Sequence, residues 1–241
     1  MPTRIETFAR VVARLLPQVD RMFVFLDGFE ATPGFLLDDR KITVLRSQEV
    51  GELHSTGRFL ALRVLEAPSV VLVVDDDIKY PRNYVARMVR RLAAASGKAV
   101  IGVHGGIFKP PYESYVTDGT QYHFSSELKE DTRADALGAG TSAFLSEVMD
   151  FDVRQWVGYD HSDLQLALEA KRRSVPLICI KRRKKWLRPL AEDQADSLWL
   201  KTQRDPTKKR ALMRALMSEA IAQLEPAPSQ RPDARARDHS V

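Results

Sequence analysis

The spacing of apolar residues along the first part of the chain predicts alternating helices and strands. Apolar residues recur at helical spacing from Ile5 to Leu16, and Pro17 ends that pattern. Continuous apolar runs, by contrast, predict strands that are buried on both faces. The predicted elements in chain order are a helix over 5–16, strands over 22–26 and 42–45, a helix over 56–66, a strand over 69–74, a helix over 81–92 and a strand over 98–103.

The pattern changes over residues 104–144, which are rich in Gly, Tyr, Ser and Thr and lack a long helical repeat. Loop regions of this size inside a compact domain are usually functional. Regular elements resume with a helix over 162–173, a strand over 177–180 and a last helix that begins at Asp205-Pro206. Residues 226–241 have no periodic apolar face, so we predict a disordered tail there.

This order of elements predicts an α/β fold with a mainly parallel, Rossmann-like sheet flanked by helices. We expect that domain to span residues 1–190, followed by a C-terminal helical extension over 191–225. Of the 241 residues, 44% are hydrophobic and 29% charged, as in soluble globular proteins. The single cysteine, Cys179, excludes an internal disulfide framework and a cysteine-based zinc site.

No apolar run approaches the roughly 18 residues of a membrane span. The first residues carry the charges of Arg4, Glu6 and Arg10 and lack a long apolar core, so we predict no secretory signal there. The expected location is therefore the cytoplasm, with peripheral association at the inner face of the membrane.

Basic residues outnumber acidic ones, 37 against 32, which gives a net charge of +5 and favours anionic partners. Six of the eight residues from Lys181 to Arg188 are basic, and we predict peripheral contact with an anionic membrane through this segment. The alternative anionic partners are a diphosphate, an acidic glycan and a lipid phosphate. Trp186 is expected to stack on a sugar ring or sit in the membrane interface. Nucleic acid is not expected, because the aromatic residues do not alternate with the basic ones.

Three aspartates, Asp75, Asp76 and Asp77, follow directly after the apolar run over 69–74. Ligands of open α/β sheets bind beyond the carboxyl ends of the strands, and buried charges need a partner. Carboxylate oxygens suit Mg²⁺ or Mn²⁺, which commonly bridge protein carboxylates to phosphates. Because successive strand residues point to opposite sides, we expect Asp75 and Asp77 to share one site and Asp76 to face away. The alternative is an acidic turn that caps the next helix.

The segment Val-Val-Asp-Asp-Asp-Ile-Lys-Tyr-Pro, residues 73–81, resembles the Asp-x-Asp segment of GT-A-fold glycosyltransferases. It is most similar to the family-2-like bacterial enzymes found with capsule and surface-polysaccharide genes. The segment Asp-His-Ser-Asp-Leu-Gln-Leu-Ala-Leu-Glu-Ala-Lys, residues 160–171, resembles the late acidic motif and helix of that family. Further segments resemble it in the same order, namely 1–8, 16–28, 55–59, 102–106 and 137–144. The family has an apolar strand directly before the segment that starts here at Met1, and this chain departs from the family by lacking it.

The resemblance implies that Asp75 and Asp77 hold Mn²⁺ or Mg²⁺ on the diphosphate of a nucleotide sugar, with Asp77 as the preferred direct ligand. The residues that it implies in contact with the nucleotide sugar are Arg4, Asp27, Arg58, Asp76, Gly138, Gly140 and Thr141. Plain alternatives exist for these residues: solvated side chains for Arg4 and Arg58, and ordinary turns for Asp27 and the glycine loop.

Asp163 and Asp160 are the candidates for the general base that an inverting transfer needs, with Asp163 preferred by its position in the motif. The alternative is helix capping, since Asp160 and Ser162 are good N-cap residues and Asp163 suits the helix dipole. His104, between a strand end and two glycines, is a further candidate for contact with the metal or acceptor, ahead of His123 and His161.

The function that the resemblance implies is metal-dependent transfer of a sugar from a nucleotide sugar to a glycan or lipid-linked acceptor, by an inverting reaction. Two alternatives remain open. One is a sugar-phosphate nucleotidyltransferase, although the Gly- and Arg-rich phosphate loop typical of that class is missing after the first strand. The other is a catalytically silent basic domain that binds acidic polymer or membrane.

Overall fold

The computed structural model describes residues 2–156, 160–190 and 206–218. Within them, the α-helices are α1 (Ile5–Leu15), α2 (Ser47–Val50), α3 (Tyr84–Ala94), α4 (Ser162–Arg172) and α5 (Thr207–Met217). Short 3₁₀ helices are Pro2–Arg4, Leu16–Gln18, Gly34–Leu36, His54–Arg63, Ala139–Thr141 and Val153–Gln155. The disordered tail predicted for residues 226–241 and most of the extension predicted for 191–225 lie outside the described residues.

The strands of the first half are β1 (Met22–Leu26), β2 (Ile42–Arg46), β3 (Val70–Leu72), β4 (Ile78–Lys79), β5 (Val100–Gly102) and β6 (Gly105–Phe108). Those of the second half are β7 (Gly119–Tyr122), β8 (Thr132–Arg133), β9 (Ala136–Leu137), β10 (Ser142–Leu145), β11 (Leu177–Cys179) and β12 (Arg188–Pro189). The central sheet has five strands in the order β3-β10-β5-β11-β8.

The strand pairings make this a mixed α/β fold. In the central sheet β5 and β11 are parallel, whereas β10 runs antiparallel to both β3 and β5, and β8 runs antiparallel to β11. Two small sheets, β12-β4 and β7-β6-β9, are antiparallel. The structure therefore does not show the mainly parallel sheet expected from the sequence, because strands from residues 104–144 enter the sheets in the antiparallel direction.

The strands β1 and β2 form a separate, parallel pair, in register from Met22 opposite Ile42 to Leu26 opposite Arg46. Among the described residues no strand joins β1 to the central sheet. The pair packs around its own small core, formed by Val12 of α1 together with Val24, Leu26, Phe29 and Leu36. Helix α1 thereby links the pair to the core around α3, because Val11 and Leu15 on the same helix pack there.

Two of the predicted elements differ from those of the structure. The helix predicted over 56–66 is a 3₁₀ helix over His54–Arg63, which still buries Phe59, Leu60 and Leu62. The strand predicted over 69–74 is shorter, Val70–Leu72, and it is not fully buried, since Val70 is 37% exposed. The physical reason is that β3 is the edge strand of the five-stranded sheet, so its neighbour β10 covers one edge only.

The remaining predicted elements occur close to their expected places. The helices over 5–16 and 162–173 and the strand over 22–26 correspond to α1, α4 and β1. No helix among the described residues is long and apolar enough to cross a membrane.

Candidate active site

A cavity of approximately 610 Å³ lies where β1, α1, the segment after β3, the start of α4 and α5 come together. The apolar wall comes from α1 and β1, and the polar wall comes from residues far apart in the sequence. These polar lining residues are Arg4, Asp27, His54, Ser55, Arg58, Asp75, Asp76, Asp77, His161, Ser162, Asp163 and Lys209. The structure thus brings seven of the residues singled out from the sequence into one cavity, namely Arg4, Asp27, Arg58, Asp75, Asp76, Asp77 and Asp163.

The three aspartates after β3 are paired with two arginines. The Nη1 atom of Arg4 lies 3.1 Å from both Asp76 Oδ1 and Asp77 Oδ2, and Arg58 Nη1 donates to Asp75 Oδ1. The expectation that Asp76 faces away from Asp77 is therefore wrong. The strand ends at Leu72, so the alternation of a strand no longer applies at the turn that carries these carboxylates.

Negative charge is concentrated in this turn beyond what the arginines offset. Burial, followed by the charges of Asp75 and Asp76, raises the pKa of Asp77 to about 6, against the opposing effect of Arg4 and Arg58. A divalent cation would relieve this repulsion, and carboxylate oxygens are suitable ligands for Mg²⁺ or Mn²⁺. The described residues contain no cluster of three or more His, Cys, Asp or Glu side chains arranged for a metal. Two carboxylates nevertheless fit Mg²⁺, which is commonly held by one or two carboxylates and completed by phosphates and water.

The glycine loop at residues 138–141 lies behind the carboxylates and is buried. The backbone N–H of Ala139 donates to Asp163 Oδ1 at 2.8 Å. On the other side, the buried hydroxyl of Tyr80 donates to the carbonyl oxygen of Gly140 and accepts the N–H of Asp75 at 2.9 Å. A Cβ on Gly140 would overlap the carboxylate of Asp75, so only glycine fits there. The loop therefore fixes Asp75 and Asp163 relative to each other.

Asp163 lies in the first turn of α4, at the cavity. Burial and the charge of Asp75 raise its pKa, while the N–H of Ala139 and the charges of Arg58 and Lys209 oppose the rise. A carboxylate whose pKa is raised towards the working pH is a more effective general base than an exposed one. The geometry is therefore compatible with the role expected for Asp163.

Asp160 does not line the cavity, and the helix starts differently from the predicted capping arrangement. The residue at the N-cap position of α4 is His161, in the left-handed conformation (φ 60°), and among the described residues no side chain caps the helix. The prediction that Asp160 or Ser162 caps α4 is therefore wrong. A left-handed residue at this point turns the chain sharply, so Ser162 and Asp163 both face the cavity.

His104 lies behind the glycine loop rather than in the cavity. Its backbone N–H donates to Thr141 Oγ1 at 3.0 Å, and its ring packs against His123 and Phe124. Burial and the nearby His123 lower the pKa of His104 to about 4, and its Nδ1 atom has no hydrogen-bond partner among the described residues. The ring is therefore neutral at pH 7.

Lys209 and Tyr115, which the sequence analysis did not single out, also line the cavity. Lys209 of α5 lines it and places its ammonium group 4.1 Å from the centre of the Tyr115 ring. Helix α5 is held in place by Lys171, whose ammonium group donates to the carbonyl oxygens of Leu216 and Ser218. No local sequence signal identifies Lys209, since it is one of two adjacent lysines and only the packing of α5 directs it inward.

The basic segment 181–188 is only partly a charged surface. Arg182 is 3% exposed and donates to the carbonyl oxygens of Tyr122 and His123, so it holds a loop in place. Trp186 is 6% exposed and lies beneath the guanidinium of Arg87, at 4.3 Å from its ring centre. The expectation that Trp186 stacks on a sugar or sits in an interface is therefore wrong, because the ring is part of the core around α3.

Comparisons with known proteins give no family for this chain. No protein-family model matches it, and no curated protein matches it significantly. The arrangement of carboxylates and cations around one cavity is accordingly the basis on which its function is argued.

Proposed function

We propose that this protein is a metal-dependent glycosyltransferase that moves a sugar from a nucleotide sugar to a glycan or lipid-linked acceptor, by an inverting reaction. One observation carries the proposal. The carboxylates of Asp75 and Asp77 line the same cavity as Asp163, although the two groups are some 90 residues apart in sequence. This arrangement fits the resemblance of residues 73–81 and 160–171 to GT-A-fold enzymes of the family-2 type, and a GT-A-like fold is part of the proposal.

In this proposal Asp75 and Asp77 hold Mn²⁺ or Mg²⁺. The bound ion supplies Lewis-acid stabilisation of the charge that develops on the leaving diphosphate. Arg4 and Arg58, already in the cavity and paired with the carboxylates, bind diphosphate oxygens. Asp27 lies at the end of β1, where its carboxylate contacts His54 Nδ1 at 3.3 Å, and it binds the ribose or base of the nucleotide.

Asp163 is the proposed general base, which takes the proton of the acceptor hydroxyl as that oxygen attacks the anomeric carbon. The N–H of Ala139 fixes one carboxylate oxygen, Oδ1. Tyr115 lines the cavity on the same side, and its buried hydroxyl has no hydrogen-bond partner among the described residues, so it is a candidate contact for a sugar hydroxyl.

The two alternative functions, a sugar-phosphate nucleotidyltransferase and a catalytically silent basic domain, predict different ligands. A nucleotidyltransferase would bind a nucleoside triphosphate and a sugar phosphate, whereas a silent binding domain would need neither the half-buried carboxylates nor the cavity. The raised pKa of Asp77 favours an enzyme. Carboxylates that repel one another lower the stability of the folded protein, and groups with perturbed pKa values cluster at functional sites.

Thermal stabilisation by nucleoside diphosphates, measured with and without Mn²⁺, tests the metal site. We expect UDP, GDP or another nucleoside diphosphate to raise the melting temperature only when Mn²⁺ or Mg²⁺ is present, and Asp77→Asn to abolish that dependence. Asp38→Asn, at an exposed aspartate, is the matched control. Equal stabilisation of Asp77→Asn and the control would exclude the metal assignment.

Asp163→Asn tests the base. We expect this variant to keep the metal-dependent nucleotide binding and to lose about 10²–10⁴-fold in transfer rate, while Asp160→Asn retains most of it. The reverse outcome would assign the base to Asp160.

A further inference from the structure

The surface next to α3 carries a dense cluster of positive charge. We define it as the basic face, formed by Arg87, Arg90 and Arg91 of α3 with Arg183, Lys184 and Lys185 of the adjoining turn. Two contacts join the two parts. Arg87 Nη2 donates to the carbonyl oxygen of Lys181 at 2.9 Å, and its guanidinium lies over Trp186.

The charges of this face crowd one another. Burial, and then the positive charges of Arg91, Arg183 and Arg90, lower the pKa of Arg87, with Asp131 opposing them. Asp131 is the carboxylate that contacts the face: it accepts from Arg91 and from the backbone N–H of Lys181. Within the described part of the chain, one carboxylate contacts a face of six cations, which leaves an uncompensated positive surface that attracts an anionic partner.

An exposed apolar strip lies within the same face. Ala86, Val89 and Ala93 are exposed on α3, and their spacing of three and four residues puts them on one side of the helix, beside Arg90. Val89 is 38% exposed. A strip of apolar side chains flanked by cations is the arrangement of helices that lie in a membrane interface. A soluble polyanion would gain nothing from the strip, and the buried ring of Trp186 is not accessible for stacking on nucleic-acid bases.

The face is continuous with the candidate active site. From Lys185 the chain runs into β12, which pairs with β4 directly after the aspartates. The backbone N–H of Leu190 then donates to the carbonyl oxygen of Asp77 at 2.7 Å. An anionic surface bound by the basic face would therefore lie close to the segment that carries Asp75, Asp76 and Asp77.

We propose that the basic face docks this protein on the anionic lipid headgroups of a membrane, with Arg183, Lys184 and Lys185 as main contacts and the strip around Val89 at the headgroup level. This inference goes beyond the proposed function, because it needs neither the metal nor the nucleotide and would hold for a protein that binds lipid without catalysis.

Co-sedimentation of the full chain with vesicles tests the inference. The probe is phosphatidylcholine with about 30% phosphatidylglycerol, compared with pure phosphatidylcholine. We expect binding only to the anionic vesicles, and a fall when salt rises from about 0.05 M to about 0.5 M. The variant Arg183→Glu/Lys184→Glu/Lys185→Glu should lose about 100-fold or more in vesicle affinity. The matched control, Arg10→Glu/Arg21→Glu/Arg40→Glu, changes the net charge equally at exposed positions that do not belong to the basic face, and it should lose much less.

Val89→Ser separates lipid from soluble polymer as the partner. We expect it to weaken vesicle binding several-fold and to leave elution from a heparin column unchanged. Equal losses in the two triple variants would overturn the inference, as would binding to heparin without binding to vesicles. Melting temperatures of all variants establish that they fold, and failure of metal-dependent nucleotide binding would bear on the proposed function alone.

Discussion

The hydroxyl of Tyr80 donates to the carbonyl oxygen of Gly140, sixty residues further along the chain, and the hydroxyl oxygen of Tyr80 accepts the N–H of Asp75. Tyr80 is completely buried. One side chain thus satisfies two backbone groups that are distant in sequence and adjacent in the fold, and the position of Asp75 depends on it.

Tyr80→Phe should therefore destabilise the protein by roughly 1–3 kcal/mol, because a part-buried N–H and a buried carbonyl oxygen lose their shared partner. Tyr84→Phe is the matched control. Tyr84 is equally buried, but its hydroxyl has no hydrogen-bond partner among the described residues, so its removal should cost little. Chemical denaturation measures both. Equal losses would mean that the hydrogen bonds of Tyr80 contribute nothing beyond those of an ordinary core tyrosine.

Gly140→Ala should displace the carboxylate of Asp75, because the added methyl group would occupy the same space. We expect Mn²⁺-dependent nucleotide binding to weaken by about tenfold or more, with a loss of stability of roughly 1–3 kcal/mol. Gly34→Ala is the control, since nothing lies within 4 Å of a Cβ there. Isothermal titration with a nucleoside diphosphate and Mn²⁺ gives the comparison, and unchanged affinity in Gly140→Ala would argue against Asp75 as a ligand.

Lys209→Gln should change the pH dependence of transfer. The positive charge of Lys209 lowers the pKa of Asp163, so its removal raises that pKa and moves the acidic limb of the kcat/KM profile to higher pH. The neighbouring, exposed Lys208 provides the control variant, Lys208→Gln, which should leave the profile in place. If the wild type and both variants show the same acidic limb in kcat/KM, Lys209 does not influence the pKa of the general base.

His104→Phe should make the protein more resistant to acid. The pKa of His104 is lowered from 6.5 to about 4, so the folded state binds fewer protons than the unfolded chain and loses stability as the pH falls between these values. Phenylalanine keeps the ring contacts with His123 and Phe124 and cannot be protonated. Melting temperatures from pH 8 to pH 4 should diverge below about pH 6.5 in favour of the variant. His54→Gln, at a side chain that is 50% exposed, should follow the wild type.

The sequence predicts best those elements that depend on residues adjacent in the sequence. The continuous apolar run Met22–Leu26 is a strand, and the helical spacing after Ser162 is α4, because local burial decides both. The resemblance predicts that the acidic turn and Asp163 belong to one site. The sequence does not predict the antiparallel direction of β10, because the residue types at 142–145 do not determine which strands they pair with.

The contacts that complete the site are also invisible in the sequence. Lys209 reaches the cavity because Met213 and Leu216 of α5 pack into the core against α4. The sequence around Tyr80 predicts only an apolar residue near the start of a helix, because its hydrogen bond to Gly140 depends on the fold. Arg182 belongs to a basic run, yet it is buried among carbonyl oxygens that only the folded chain supplies.

The separation of β1 and β2 from the central sheet has a consequence for hydrogen exchange. Because no described strand connects the pair to that sheet and its core is small, we expect β1 and β2 to open as a unit at lower free energy than β5, β10 and β11. Their amides should exchange with solvent deuterium faster than those of the central strands. A nucleotide that contacts Asp27 on one side of the cavity and Arg58 on the other would tie the pair to the rest of the protein and slow that exchange. Binding of a nucleotide in the cavity would then slow the hydrogen exchange of the β1 backbone amides, although β1 and the strand before the three aspartates belong to different sheets.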